Sequence, residues 1–348
     1  MSTALPQTVR AVIQPDPETD ALILTETALP RPKEGDSEEH LVQIKATSPC
    51  LGELTWERYF PDTFTAERER VPGTEGAGVV VTAPFGSPFK PGDEVYFRNE
   101  ANRRGCLSDY TLVQKSALAL KPSAQGWVEA AATPLSALTA YQGLFEHGLL
   151  DPRAMATQGG DARAREANGK IRLLITAASG NVGSWAVQLA AAAGAGAIVA
   201  VSGPSKADDV RKAGATDIID YTKQSIASWA AAQDPSSTHC DMALDCAGGD
   251  SLAGCWAAIR DGGVLLSVCG SPESLRPASV AKSKKLAKAT WFLVRPRGSD
   301  LAEITKLVDA GIGRPRVDSA VEFDDFQQAF DKTETRHANG KVVIKVMA

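Results

Sequence analysis

The sequence predicts an α/β fold in which a β-rich domain is followed by a doubly wound parallel sheet. Three observations support this prediction. Residues 171–202 form a strand–helix–strand pattern with a glycine turn before the helix. Strands and helices then alternate as far as residue 268, which is typical of a parallel sheet with helices on its faces. Several short strands with glycine turns occur between residues 9 and 113, as in a compact β-rich domain. The length of 348 residues suits two domains.

The strand–helix–strand pattern is the strongest of these signals. Ile171–Ile175 is apolar apart from Arg172, as expected of a buried parallel strand. Small residues follow from Ala177 to Gly183 and predict a tight turn. Apolar residues then recur at helical spacing from Val182 to Leu189, and Ala197–Val201 forms a second apolar strand.

This turn has the features of a dinucleotide-binding site. Gly180 allows the backbone to approach a pyrophosphate, and Gly183 allows the helix to pack closely on the strand. The free N–H groups at the start of the helix would then face the phosphates. The motif is A-x-x-G-x-x-G, because Ala178 stands where a full G-x-G-x-x-G motif has a glycine. The alternative is a turn that binds nothing. The candidate cofactor-binding residues here are Ala178, Ser179, Gly180, Asn181, Val182 and Gly183.

The end of the second strand bears on the choice of cofactor. A site that prefers NAD usually has Asp or Glu there, to bind the ribose 2′-hydroxyl. Here Ser202 and Lys206 follow the strand, and the first acid is Asp208. A hydroxyl and an ammonium group suit a 2′-phosphate, so the sequence favours NADPH. The alternative is that Lys206 is only a solvated surface charge.

Composition excludes several classes of function. The net charge of −5 gives no reason to expect nucleic-acid or membrane-surface binding. No run of about 18 apolar residues occurs, so no transmembrane helix is predicted. The first ten residues lack the basic and apolar regions of a secretory signal. The six cysteines are scattered without a C-x-x-C pair, which indicates reduced thiols and a cytoplasmic protein.

Eight segments occur along the chain in an order that is informative as a set. They are V-P-G-T-E-G-A-G-V-V (71–80), F-K-P-G-D-E-V-Y (89–96), T-A-Y-Q (139–142), A-A-S-G-N-V-G (177–183), K-A-G-A-T-D-I-I-D-Y (212–221), D-M-A-L-D-C-A-G-G (241–249), D-G-G-V-L-L-S-V-C-G (261–270) and G-K-V-V-I (340–344). Together they resemble the medium-chain dehydrogenase/reductase superfamily, and within it the zinc-independent quinone oxidoreductase and enoyl reductase branch. The resemblance implies a GroES-like β-rich catalytic domain, made of residues 1–136 and 300–348, and a Rossmann domain, residues 137–299.

Further cofactor contacts are expected along the sheet. The strand ends at Cys246 and at Gly270 should lie at the ligand edge of a parallel sheet. The resemblance implies that Tyr221 lies near the adenosine phosphate, that Thr139 touches the nicotinamide, and that Gly270 and Ser271 line its nicotinamide side. The alternative for Thr139 is a threonine on a helix face with no such contact.

The resemblance also bears on metal binding. Zinc-dependent relatives hold catalytic zinc through a cysteine near the place of Cys50, a histidine at the place of Thr74, and a third ligand near Thr133. Threonine hydroxyls are poor zinc ligands beside thiolate and imidazole. A structural zinc site would need four clustered cysteines, and only Cys106 is nearby. The sequence therefore predicts no metal.

Without zinc, hydride delivery suits an acceptor that is already electrophilic, such as a quinone or an α,β-unsaturated carbonyl. The loop at 50–60 supplies candidate pocket groups. Trp56 and Phe60 could pack on a flat acceptor, and Tyr59 could donate a proton to the enolate. Cys50 and Glu53 are further candidates. The alternative is that Trp56 and Phe60 are core residues and Tyr59 is a surface residue.

Two further stretches are informative: one departs from the family pattern, and the other indicates a partner. Residues 151–170 are a polar insertion before the Rossmann domain's first strand, expected to be an exposed, mobile loop. Residues 290–294 resemble an edge strand, and such edges pair across a dimer in the family, so a homodimer is one expectation.

Three functions follow from the sequence. The first is an NADPH-dependent reductase of quinones or enones, acting on a small molecule. The second is an enoyl reductase that acts on acyl or polyketide thioesters in trans with a synthase partner. The third is an NADPH-binding sensor with little turnover.

Overall fold

The computed structural model describes residues 5–33, 35–65, 67–155, 160–233 and 239–347. The chain divides into two compact units. The first unit consists of Met1–Leu135, Arg295–Asp309 and Arg314–Ala348, and the second of Ser136–Val294 and Ala310–Gly313.

The strands follow the apolar runs of the sequence. They are β1 (Thr8–Ile13), β2 (Ile23–Ala28), β3 (Glu39–Ser48), β4 (Glu75–Thr82), β5 (Glu94–Arg98), β6 (Tyr110–Gln114), β7 (Leu118–Leu120), β8 (Arg172–Ile175), β9 (Ala197–Ser202), β10 (Asp217–Asp220), β11 (Cys240–Asp245), β12 (Ile259–Ser267), β13 (Lys288–Trp291), β14 (Val317–Glu322) and β15 (Lys341–Lys345).

The helices are mostly short. They are α1 (Trp56–Tyr59), α2 (Trp127–Ala131), α3 (Pro134–Tyr141), α4 (Ala162–Asn168), α5 (Asn181–Ala192), α6 (Ala207–Lys212), α7 (Ile226–Ala231), α8 (Gly249–Ala258), α9 (Gly298–Asp309) and α10 (Phe326–Glu334). No helix in the described ranges is long and apolar enough to cross a membrane.

The first unit is built around a mostly antiparallel sheet with strand order β14-β15-β3-β4-β5-β7, and β6 pairs with β3. β1 and β2 form a separate hairpin, as the sequence predicted. β3 is buried along most of its length because β4, β6 and β15 all pair with it. Val42, Ile44 and Phe97 are completely buried in the core of this unit.

The second unit contains a six-stranded sheet in which every pair of strands is parallel. Its strand order is β10-β9-β8-β11-β12-β13, so the first strand in sequence lies in the middle. This is the order of a doubly wound Rossmann sheet, whose ligand edge lies at the carboxyl ends of the strands. The predicted fold class, an α/β chain with a β-rich sheet and a Rossmann sheet, is therefore confirmed.

The polar insertion at 151–170 is more ordered than its composition indicated. Residues 162–168 form α4, and the Asp161 carboxylate caps its N-terminus by accepting from the N–H groups of Arg163 and Ala164. At its other end, the buried Asn168 amide donates to the carbonyls of Asp151 and Ala193. The prediction of a mobile loop was wrong for 160–170, because these contacts hold the segment in place; residues 156–159 lie outside the described residues.

Candidate cofactor and substrate sites

The predicted phosphate-binding turn joins β8 to α5. It is tight because Ala177 adopts a left-handed backbone conformation, with φ of 45°. A Cβ atom on Gly183 would lie 2.2 Å from the Ala177 carbonyl oxygen, so only glycine allows the helix to approach the turn. Ala178 is buried and its N–H donates to the Val201 carbonyl, which fixes the turn against β9.

Among the described residues, no side chain caps the first turn of α5, and Gly180 is the residue that precedes the helix. The N–H groups of the first helical turn have no partner within a helix, and they attract anions together with the helix dipole. The six turn residues that the sequence singled out, Ala178 to Gly183, therefore lie together at a site suited to phosphate. The side-chain oxygen of Asn181 is buried beside them without a hydrogen-bond partner.

A buried carboxylate that the sequence analysis missed organises the neighbouring strand ends. Asp245, the last residue of β11, is completely buried. Its Oδ1 accepts from the Thr176 hydroxyl at 2.7 Å, and its Oδ2 accepts from the Ser267 hydroxyl at 3.0 Å and from the Gly248 N–H at 3.0 Å. The Thr176 hydroxyl in turn accepts from the Cys246 N–H at 2.8 Å. Asp245 thus ties together the carboxyl ends of β8, β11 and β12.

The signal for this carboxylate was present in the sequence as three strand ends. Each of the central strands ends in or is followed by a small polar residue: Thr176, Asp245 and Ser267. In a parallel sheet such ends lie side by side, so an acid between two hydroxyls predicts a hydrogen-bonded group.

The end of β9 carries the groups predicted to select the cofactor. Ser202 is buried, and Lys206 is half-buried with no ion pair among the described residues. Tyr221 is 65% exposed. A Cβ atom on Gly203 would lie 3.1 Å from the Tyr221 hydroxyl, so the phenol lies against the backbone that follows Ser202. The structure thus places Ser202 and Tyr221 at adjacent strand ends.

The remaining predicted cofactor residues lie at the ends of β11 and β12. Cys246 is half-buried, and burial raises the pKa of its thiol well above the usual value. Gly270 has a φ of 159°, and Ser271 is exposed. Thr139 is buried in α3. Cys246, Gly270 and Ser271 therefore follow the carboxyl ends of β11 and β12, which is where a Rossmann sheet binds its ligand.

In the first unit, Glu53 holds two separate segments of backbone. The carboxylate is buried, with 8% of the residue exposed. Its Oε2 accepts from the Cys50 N–H at 3.0 Å, and its Oε1 accepts from the N–H groups of Gly73 at 2.7 Å and Thr74 at 3.1 Å. Burial raises the pKa of Glu53, although the hydrogen bonds oppose this shift. Glu53 therefore brings Cys50 and Thr74 together.

A second buried carboxylate lies beside it. Glu75 is completely buried, its Oε1 lies 2.5 Å from the Lys341 ammonium, and its Oε2 accepts from the Leu135 N–H at 2.7 Å. Burial lowers the pKa of Lys341, but the charge of Glu75 outweighs this effect and the pKa is raised overall. Burial raises the pKa of the Cys50 thiol to about 12, so this thiol is neutral near pH 7.

A second cation, Arg98, belongs to the same cluster, and sequence reasoning missed it. Arg98, the last residue of β5, lies directly across the strand pair from Glu75 on β4. Only 7% of the residue is exposed, and burial lowers the pKa of its guanidinium. In the sequence, Arg98 starts a polar stretch that is typical of a surface turn, so nothing there indicated burial.

The aromatic residues of the predicted substrate pocket are more exposed than Glu53. Trp56 begins α1 and is half-buried, whereas Tyr59 is 73% exposed and Phe60 is 45% exposed. The structure brings Cys50 and Glu53 into the buried cluster and leaves Tyr59 and Phe60 on the surface of the first unit.

Comparison with known proteins identifies the family. Residues 213–344 match the family described as zinc-binding dehydrogenase. The chain is 43% identical over 346 residues to the "Probable zinc-binding oxidoreductase, mitochondrial" of Arthroderma benhamiae, and the match covers 99% of both chains. The chain belongs to the medium-chain dehydrogenase/reductase superfamily.

Two further matches extend this assignment. This medium-chain dehydrogenase/reductase is 28% identical over 328 residues to the chloroplast envelope quinone oxidoreductase homolog of Arabidopsis thaliana, covering 91% of this chain and 92% of that protein. It superimposes on an alcohol dehydrogenase superfamily protein from Novosphingobium aromaticivorans with a TM-score of 0.79 and 23% identity, covering 98% and 100% of the two chains. The latter supports the fold. The chain is an oxidoreductase of the medium-chain dehydrogenase/reductase type.

The family name raises the question of zinc, which the donor groups answer. The positions that the resemblance assigns to the zinc ligands are Cys50, Thr74 and Thr133, and two of them carry only hydroxyls. Within the described ranges, no three His, Cys, Asp or Glu side chains come together as a ligand set. The cations Arg98 and Lys341 already lie among the acids and would repel a divalent ion. The residues present do not fit a zinc ion.

Proposed function

We propose that the protein is an NADPH-dependent reductase that transfers hydride to a quinone or to the β-carbon of an α,β-unsaturated carbonyl. The observation that carries the proposal is the uncapped start of α5 behind a turn that only Gly183 permits, at the carboxyl edge of the Rossmann sheet. The cofactor supplies the hydride when bound. The protein's own part is to bind the phosphates, to orient the acceptor, and to stabilise negative charge on its oxygen.

The preference for NADPH is supported by the end of β9. No acid stands at the position that would bind a ribose 2′-hydroxyl, and the Lys206 ammonium has no ion pair among the described residues to compete with a 2′-phosphate. We expect Lys206→Ala to lower the ratio of kcat/KM for NADPH to that for NADH by about tenfold, since one charge-assisted hydrogen bond is lost. Lys212→Ala, an exposed lysine at the end of α6, is the matched control. An unchanged ratio in Lys206→Ala would contradict the assignment to NADPH.

Zinc-independent catalysis is part of the proposal, and its support is the donor set described above. Metal analysis of the purified protein should give far less than one zinc per chain, and incubation with a chelator should leave the rate unchanged. One zinc per chain, with activity that is lost on chelation and restored by zinc, would overturn this part of the proposal.

The substrate class is tested with a panel of acceptors. NADPH oxidation is followed with quinones, free enones and enoyl thioesters, and with NADH as the control cofactor. Turnover with quinones or enones supports the proposal, and Tyr59→Phe then tests the Tyr59 hydroxyl as the proton donor. Turnover with thioesters alone would favour the enoyl reductase that works with a synthase. Tight NADPH binding without any turnover would favour the sensor.

A homodimer and a cytoplasmic location are further proposals. β13 is the terminal strand of its sheet, and Leu293 just beyond it is 65% exposed. An apolar sheet edge needs a partner, which supports pairing with a second copy. A monomer in size-exclusion chromatography at micromolar concentration would contradict the dimer. Because the Arthroderma relative is named mitochondrial, cell fractionation is the test of the compartment.

A further inference from the structure

A groove between helix α9 and strand β7, here called the α9 groove, has the size and lining of a small-molecule site. Its volume is about 860 Å³, which lies within the range of cavities that bind small ligands. Every residue that lines it belongs to the first unit. Much of the lining is apolar, and Leu120 on β7 is 53% exposed there although its side chain is a hydrocarbon. The apolar lining residues are Pro88, Phe89, Leu118, Ala119, Leu120 and Ala302.

The α9 groove exists because the helix turns small residues toward it. A Cβ atom on Gly298 would lie 2.0 Å from the Leu118 carbonyl oxygen, so only glycine allows the helix to begin against the strand. Two turns later, the Thr305 hydroxyl donates to the Leu120 carbonyl at 2.9 Å and fixes α9 to the end of β7. Between these two contacts Ala302 lines the groove with a single methyl group. The helix and the strand therefore hold the groove open by contacts of their own.

The charged side chains that line the α9 groove are all cations. Lys115, Arg297 and Lys306 line it, and none of its described lining residues is an acid. The acids that pair with these cations lie outside the lining: Glu38 is 2.8 Å from Lys115, Asp300 is 3.2 Å from Arg297, and Glu303 is 2.7 Å from Lys306. Both members of the Lys115 and Lys306 pairs are at least 40% exposed, and such surface pairs contribute little to stability. The lining therefore favours a ligand that carries a negative charge.

A second groove in the first unit lacks this one-sided charge. Its volume is about 710 Å³, close to that of the α9 groove. Its lining includes both members of an ion pair, Lys345 and Glu322, which lie 2.8 Å apart. Its charged lining residues are Arg10, Lys45, Glu129, Glu322, Asp324 and Lys345. Because these charges balance, the second groove offers no preference for an anion, and it supplies a control.

Two of the three cations lie at the same end of the α9 groove. Lys115 comes shortly before Leu118, the first residue of β7, and Arg297 immediately precedes Gly298, which contacts Leu118. Lys306 lies at the opposite end of the groove, next to the residue that binds the Leu120 carbonyl. The helix rises about 12 Å between Gly298 and Lys306. An apolar floor thus extends from a doubly positive end of the groove toward a single lysine.

We propose that the α9 groove binds an amphipathic anion, an aliphatic carboxylate, with its chain against Leu118 and Leu120 and its carboxylate between Lys115 and Arg297. The cations select the negative charge, and the planar guanidinium matches the two oxygens of a carboxylate. The apolar lining favours a hydrocarbon chain over a small inorganic anion, because burial of the chain removes apolar surface from water. The inference concerns the first unit alone and does not rest on the proposed function.

The choice of ligand is tested with octanoate and 1-octanol, which share one chain length and differ in charge. Isothermal titration calorimetry at low ionic strength should show that the wild-type protein binds octanoate at least tenfold more tightly than 1-octanol. The double variant Lys115→Gln, Arg297→Gln should bind the two ligands equally. Two matched controls should keep the preference within twofold of the wild-type value: Lys306→Gln, at the opposite end of the α9 groove, and Lys345→Gln, in the second groove.

Ala302→Leu tests where the ligand binds. Ala302 is exposed, and leucine is a good helix former, so the variant should fold while its side chain fills the α9 groove. Octanoate affinity should then fall at least tenfold. Unchanged octanoate binding by Ala302→Leu would overturn the assignment to this groove, and equal wild-type affinities for octanoate and 1-octanol would overturn the preference for an anion. A protein that binds octanoate as expected but reduces no acceptor would refute only the proposed function.

Discussion

The carboxylate of Asp245 should be essential to the ligand edge of the Rossmann sheet, and Asp245→Asn tests this at constant size. Each carboxylate oxygen accepts from one hydroxyl and from backbone N–H groups, and the Gly248 N–H is shared between both oxygens. Oδ1 faces the Thr176 hydroxyl at 2.7 Å and the Ala247 N–H at 3.3 Å, and Oδ2 faces the Ser267 hydroxyl and the Gly248 N–H, both at 3.0 Å. An amide keeps one acceptor oxygen and turns an NH₂ group toward the other pair of donors.

The amide cannot be accommodated by turning the hydroxyls. The Thr176 and Ser267 oxygens already accept from the N–H groups of Cys246 and Cys269. If either hydroxyl turned to accept from the new amide, its own proton would have no acceptor. The variant therefore loses one or two hydrogen bonds to a charged group, which corresponds to a loss of about 2–4 kcal/mol in the free energy of unfolding. For a unit of this size, Tm should fall by roughly 4–16 °C.

Thermal denaturation followed by circular dichroism, with and without NADPH, measures the effect. NADPH affinity should also fall, because the backbone of residues 246–248 is positioned by the same carboxylate. Asp250→Asn is the control: it removes an exposed acid from the first turn of α8 and should cost below about 1 kcal/mol. If Asp245→Asn melts within 1 °C of the wild-type protein and binds NADPH equally well, the reasoning is refuted.

Three further predictions concern other parts of the chain. Gly183→Ala forces a Cβ atom to 2.2 Å from the Ala177 oxygen and should weaken NADPH binding at least tenfold, whereas Gly169→Ala, with 3.4 Å of clearance, should not; titration of NADPH fluorescence distinguishes them. Two arginines lower the pKa of Glu57, so its contribution to stability is present above the ordinary pKa of about 4.3 and is lost as the pH falls below it; melting curves of Glu57→Gln should therefore differ from wild type at pH 6 and converge with it toward pH 3. At pH 8, iodoacetamide should label the exposed Cys269 well before the other five thiols, because burial raises the pKa of each of those; mass spectrometry of the peptides would contradict this if a second thiol reacted equally fast.

The Rossmann sheet was predictable because its signals are local. A buried parallel strand is an apolar run, and the turn at Ala177–Gly183 is specified by small residues that adjoin in sequence. The sequence predicted α5 from Val182 and β9 as Ala197–Val201, and the structure has them at Asn181–Ala192 and Ala197–Ser202. The positions that bind phosphate follow directly from that turn.

The buried charges were not predictable in the same way, because their partners are distant in sequence. Lys341 lies beside Glu75 only because β15 joins the sheet next to β3, which in turn pairs with β4. Arg98 is polar in a polar stretch, and its burial depends on how β5 pairs with β4. The helix at Ala162–Asn168 was missed for a different reason. Its Asp161 cap was visible in the sequence, but glycines and charges nearby favoured a loop.

The donor groups at the predicted zinc positions bear on the chemistry that we propose for this oxidoreductase. A zinc ion in a catalytic site lowers the pKa of a bound water or alcohol, and so it assists oxidation of alcohols as well as reduction of carbonyls. The hydroxyls of Thr74 and Thr133 are poor substitutes for the imidazole and thiolate that hold such an ion. If the proposed zinc-independent reductase is correct, the enzyme has no Lewis acid with which to deprotonate an alcohol, and it depends on acceptors that are already electrophilic. We therefore expect alcohol oxidation with NADP⁺ to be at least a hundredfold slower than enone reduction, and comparable rates for the two reactions would contradict the proposal.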